Sequence, residues 1–117
     1  MSVYSDLADI PGVIAAGEYA FRGDRYSFKG QLDEEQARMA SIMCRATTMA
    51  THMQTDILCA NTENCPFDTA HGWVVKGPQF SVCVVANVFC FVQNQQGLLN
   101  KVLHKMRSKL TDVQELV

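Results

Sequence analysis

Apolar and polar residues change period several times along this chain, and each change marks an element. Val3, Leu7, Ala8 and Ile10 have the spacing of a short amphipathic helix, which Pro11-Gly12 stops. Residues 13–21 read as a strand, Arg22-Gly23-Asp24 supplies turn chemistry, and 26–29 return as a second strand ended by Gly30. Together they predict a β-hairpin. From Asp33 the period becomes helical. Asp33 and Gln36 have capping-box spacing, and Glu34 and Glu35 put negative charge where the helix dipole favours it. Met39, Met43, Ala46, Ala50, Met53 and Ile57 then recur at steps of four and three as one seam, with Ile42 and Met49 widening it. No Gly or Pro interrupts before Pro66, so the spacing predicts a helix over 33–58.

Such a helix is ~39 Å long at 1.5 Å per residue, whereas a small domain is ~30 Å across. Part of it must overhang its own core. An overhanging apolar seam rich in flexible methionine predicts a partner helix, the competing reading being a long core helix with a frayed end. Residues 61–70 read as loop, and strands follow over 71–76, 80–86 and 88–93. Gly77-Pro78-Gln79 turns the chain between the first two and Asn87 breaks it between the last two. The last two are apolar on both faces, which predicts positions in the middle of a sheet covered on both sides. Leu98, Leu99, Val102, Leu103, Met106 and Leu110 form the apolar face of a final helix, and 111–117 is a tail. Residues 1–117 thus read as a single α+β domain, an antiparallel sheet sandwiched between helices.

With 117 residues the chain can build one core and not two. Hydrophobic residues make up 48% and charged ones 19%, with ten basic against twelve acidic side chains and a net charge of −2. That density is too low for a disordered chain, and the balance is too even for a generic nucleic-acid binder. The apolar runs fall far short of the ~20 residues that span a bilayer, and no basic, apolar leader opens the sequence. The expectation is a cytoplasmic protein with no nucleic-acid partner and no membrane insertion. Five cysteines, an odd number, fit a reducing compartment. Cys44, Cys83 and Cys90 sit in apolar runs as small hydrophobes, whereas Cys59 and Cys65 flank a polar stretch and are the pair to consider for redox or metal chemistry.

Several segments carry a family resemblance. Ile10-Pro11-Gly12-Val13 at the helix-to-strand junction, within this element order, resembles the Roadblock dynein light chain family. Ile10 to Glu18 as a whole, Tyr26-Ser27-Phe28-Lys29-Gly30, Met43-Cys44 and His71-Gly72-Trp73-Val74-Val75 resemble an uncharacterised prokaryotic branch of it, over nearly the whole chain. The resemblance implies a Roadblock-like α-β-β-α-β-β-β-α order, with a five-stranded antiparallel sheet, the long helix on one face and the terminal helices on the other. It also implies a homodimer through the long helix and the adjacent edge strand, and a scaffold or regulator of Ras-like small GTPases. The cysteine-bearing stretch 59–67 and the methionine-rich helix depart from better-known members.

Candidate chemistry is sparse. Gly72 and Gly77 have the gap of a phosphate-binding loop, but Pro78 and Gln79 stand where Lys and Ser or Thr would hold phosphate and magnesium, and no helix follows. No nucleophile-elbow or His-Glu-x-x-His motif is present. No catalytic, cofactor or metal residue is assigned. Cys59, Cys65 and His71 could converge on a soft metal, though their spacing is not that of structural zinc, and Cys59 could bond Cys65 if oxidised; free loop thiols are the expectation. His52 and His104 read as surface or interface residues, and Lys101, Lys105, Arg107 and Lys109 as a solvated face. Arg22-Gly23-Asp24 reads as a turn and not as an adhesion motif. Two function classes remain: a non-enzymatic homodimeric adaptor or regulatory module, and a cysteine-based redox-sensing or small-ligand or metal-binding module.

Overall fold

A computed structural model describes residues 2–22, 25–61, 63, 65 and 72–110. Its elements are α1 (Val3–Ala8), β1 (Val13–Tyr19), β2 (Tyr26–Gly30), α2 (Glu34–Leu58), β3 (Gly72–Lys76), β4 (Phe80–Val85), β5 (Val88–Gln93) and α3 (Leu98–Leu110). Gly23 and Asp24 of the expected first turn, most of the 61–70 loop, His71 and the 111–117 tail lie outside the described residues.

The cap predicted at Asp33 is present in both directions. The Asp33 carboxylate accepts from the Gln36 backbone N–H at 2.7 Å, and the Gln36 side chain accepts from the Asp33 N–H at 3.1 Å. Two strands end earlier than their composition suggests. β1 stops at Tyr19 instead of Phe21 because Asn87 captures its end: the Tyr19 N–H donates to the Asn87 carbonyl, and Asn87 Nδ2 donates back to the Tyr19 carbonyl. β4 stops at Val85 because Ala86 takes a positive φ of 58° to turn the chain into β5. Gly12 is needed at the other junction. Its φ is 94°, and its carbonyl accepts from Gln93, tying the start of β1 to the end of β5.

All five strands form one antiparallel sheet in the order β2-β1-β5-β4-β3. β5 is central, β4 lies beside it, and β2 and β3 are the edges. On one face α1 and α3 bury Leu7, Val102, Met106 and Leu110 against Ala16, Cys83, Cys90 and Val92. On the other, α2 packs Ala40 and Cys44 over Tyr19, Val84 and Phe89. Strand register lines up Trp73, Val84, Phe89, Gly17 and Phe28 across this second face. The Phe89 ring fills the space over Gly17, where a Cβ would lie 2.5 Å from it.

Candidate functional site

The side chains of α2 divide into two faces. Ala37, Ala40, Ser41, Cys44 and Thr48 are buried on the sheet side, all small residues sharing one side of the helix. The predicted seam points the other way: Met39, Met43, Met53 and Ile57 are 45%, 62%, 66% and 73% exposed, and Ala46 and Ala50 are exposed with them. Ile42 and Met49 widen this outward face as expected. No α2 side chain beyond Thr48 is buried, so the last three turns overhang the core. Burying small residues inward lets the helix lie close to the sheet and leaves its large apolar groups without cover in the monomer.

This bare face is continuous with an open sheet edge. Among the described residues β3 pairs only with β4, which leaves its outer edge without a strand partner there, and Val75 on it is exposed. Between α2 and this edge runs an apolar groove of about 440 Å³, walled by Met39, Met43 and Cys44 from the helix and by Trp73, Val75, Val82 and Phe91 from the sheet. A polar node holds Trp73, one of its walls. Thr48 Oγ1 accepts from Trp73 Nε1 at 2.7 Å and from the Tyr19 hydroxyl at 2.9 Å, linking β3, α2 and β1. Burial pushes the Tyr19 phenol up to about 12, so it stays a neutral donor.

The cysteines are placed in two different ways. Cys44, Cys83 and Cys90 are buried free thiols, as their apolar surroundings predicted. Burial raises Cys44 to about 12, and a hydrogen bond with Cys83 together with burial pushes Cys90 up. Neither is a thiolate near neutrality, so neither is a nucleophile or a ready metal ligand. Cys59 and Cys65 correct the expectation of free loop thiols: they form a disulfide, with Cα atoms 5.5 Å apart. Cys59 is the C-cap of α2, so the end of the overhanging helix fixes one sulfur where a short loop can return the other. With both sulfurs bonded to each other they are not available as thiolate ligands, and His71 lies outside the described residues. His52 and His104 are exposed, as expected. Gly72 lies in β3 and Gly77 in the turn after it, which is strand-and-turn geometry and not a phosphate loop opening a helix.

A family model described as "Uncharacterized conserved protein (DUF2173)" matches residues 4–108. The chain belongs to the DUF2173 family. No curated protein matches this sequence. Among solved structures, the DUF2173 chain is similar to the Roadblock/LC7 domain from Streptomyces avermitilis, with a TM-score of 0.58, 14% identity, and coverage of 93% of this chain and 95% of that one. At that identity the likeness shows the fold, which is Roadblock-like, as the Pro11-Gly12 junction and the element order implied. No helix among the described residues of the DUF2173 chain is long and apolar enough to cross a membrane.

The sequence missed the Thr48 node. Its members are 25 and 29 residues apart, and nothing local marks Thr48 as their meeting point. The small-residue face of α2 did carry a signal, since 37, 41, 44 and 48 recur at helical spacing opposite the Met seam.

Proposed function

We propose that this chain is a non-enzymatic adaptor or regulatory module that works as a homodimer, associating through the outer face of α2 and the free edge of β3. The observation that carries this is the continuity of three unsatisfied features: the exposed Met and Ile seam, the apolar groove beside it, and the unpaired strand edge. A two-fold axis near the middle of α2 would cover all three at once, because the same patch meets itself. Pairing of β3 with its twin would join two sheets into one and remove the exposed edge. The Roadblock-like fold supports a small adaptor or regulatory role, and the family resemblance nominates a Ras-like small GTPase in the cytoplasm as the regulated partner. Sedimentation equilibrium checks the first step: a dimer at micromolar concentration is expected, and a monomer there would end this reading. Pull-down with nucleotide-locked GTPases checks the second, with retention of one nucleotide state over the other expected.

The Cys59–Cys65 bond supports a second reading, redox sensing. In a reducing cytoplasm the bond would open and close with the thiol poise, and its position at the end of the overhang would pass that state to the associating helix. A dimer dissociation constant that differs between reduced and oxidised protein is the expected sign; one constant for both forms leaves the adaptor reading alone.

A further inference from the structure

On the opposite flank of α2 from the apolar groove lies a cleft of different chemistry. Three of the five arginines in the chain, Arg25, Arg38 and Arg45, line a space of about 270 Å³ with Tyr19, Tyr26 and Ile42. Among the described residues no carboxylate lines it. The two nearby acids are already engaged: Glu35, outside the cleft, takes the Nε and one Nη of Arg38 and leaves that guanidinium its other Nη, and Glu34 accepts from the Tyr26 hydroxyl at 2.7 Å. Many donors remain unused. Arg45 gives only its Nε, to the Phe21 carbonyl, and the Arg25 side chain is exposed and makes no hydrogen bond or ion pair with described residues. Glu35 offsets the charge of Arg38, but Arg25 and Arg45 have no carboxylate partner among the described residues, and like charges gathered around one space repel one another unless an anion sits between them.

A second cleft, of about 290 Å³, shares Tyr19, Arg25 and Tyr26 with the first and continues to Glu18, Ser27 and Asn87. One lobe therefore offers planar cationic forks, and the adjoining lobe offers a carboxylate, a hydroxyl and a carboxamide. Guanidinium forks match the oxygens of a phosphoryl group in bidentate geometry. The second set suits hydroxyl groups, which need both acceptors and donors.

We propose that this double cleft binds a small soluble phosphomonoester, the phosphoryl group held among Arg25, Arg38 and Arg45 and its hydroxylated body lying beside Glu18 and Asn87. The site does not rest on the dimer reading: its three arginines are outside the apolar seam of α2, and it meets that face only at Ile42.

With five arginines, side-chain Nε–Hε resonances resolve each one. Titration with glycerol 2-phosphate should shift Arg25, Arg38 and Arg45 saturably while Arg107, on α3, stays still. Arg25→Gln, at an exposed position, should retain the wild-type melting temperature yet weaken binding about tenfold or more, since a hydrogen bond to a charged group is lost. Lys101→Gln, which removes the same charge from α3, should leave binding unchanged. Non-saturating drift of all five resonances, or equal weakening by both variants, would overturn the proposal. Inorganic phosphate binding as tightly as the ester would overturn the role given to the Glu18 and Asn87 lobe. Capture by vesicles containing phosphatidic acid, with no response to the soluble ester, would replace the proposed ligand by a lipid headgroup.

Discussion

Thr48 receives hydrogen bonds from Trp73 and Tyr19, so one hydroxyl fastens the long helix to an edge strand and to an inner one. Replacing it by Val keeps the shape and removes both acceptor lone pairs, leaving a buried phenol and an indole N–H without their partner. Thr48→Val should cost about 1–3 kcal/mol, read as a lower denaturant midpoint with an unchanged slope. Tyr19 adds a pH dependence of definite sign. Desolvation raises its folded value from near 10 to about 12, so its contribution is complete below pH 10 and is lost as pH rises through 12. Tyr26 is raised too, by its hydrogen bond to Glu34. The comparison that isolates Tyr19 is therefore the wild type against Tyr19→Phe: the variant should lose less stability than the wild type between pH 10 and 12, measured by urea unfolding at each pH.

Among the elements, α2 shows what periodicity reveals and where it stops. The capping box at Asp33, the seam of Met39, Met43, Ala46, Ala50, Met53 and Ile57, and the overhang were all legible, because helix caps and helical repeats are local properties. The central place of β4 and β5 was legible in their two apolar faces, but the strand order was not, since β5 joining β1 is a long-range pairing that no local pattern encodes. The ends of β1 and β4 were overestimated for a related reason: Asn87 terminates β1 from 68 residues away. Nor does composition set the state of Cys59 and Cys65, which depends on where the α2 C-cap and the returning loop meet. Closing so short a loop stabilises by about 2 kcal/mol through the unfolded chain. Reductant should therefore lower the melting temperature of the wild type and leave the Cys59→Ser, Cys65→Ser double variant unmoved.

For the whole molecule, the apolar groups fall into two populations: those between the sheet and its helices, and those on the outer side of α2. The first keeps the monomer folded and the second is the face proposed to associate, so a substitution in the second should separate the two properties. Ala50→Glu places a carboxylate at the centre of the outer face, where it is harmless in water and costly when buried unpaired. The variant should retain its circular dichroism spectrum and sediment as a monomer. The same division explains why the chain combines a sandwich fold with no assigned catalytic residue: its distinctive chemistry lies on surfaces, in the apolar face and in the arginine cleft.

Four of the six methionines, Met39, Met43, Met49 and Met53, stand on the outer face of α2, while Met106 is sealed in the core with its sulfur 3.8 Å from that of Cys83. Thioether sulfur is oxidised by peroxide to a polar sulfoxide at a rate that follows its access to solvent. The protein thus carries a built-in footprint of its own surface, with Met106 as the protected reference. On the proposed dimer, dilution should speed sulfoxide formation at the four outer positions relative to Met106, as peptide mass spectrometry would record. Each sulfoxide formed would in turn oppose the proposed association, so peroxide exposure should shift the chain progressively toward single copies.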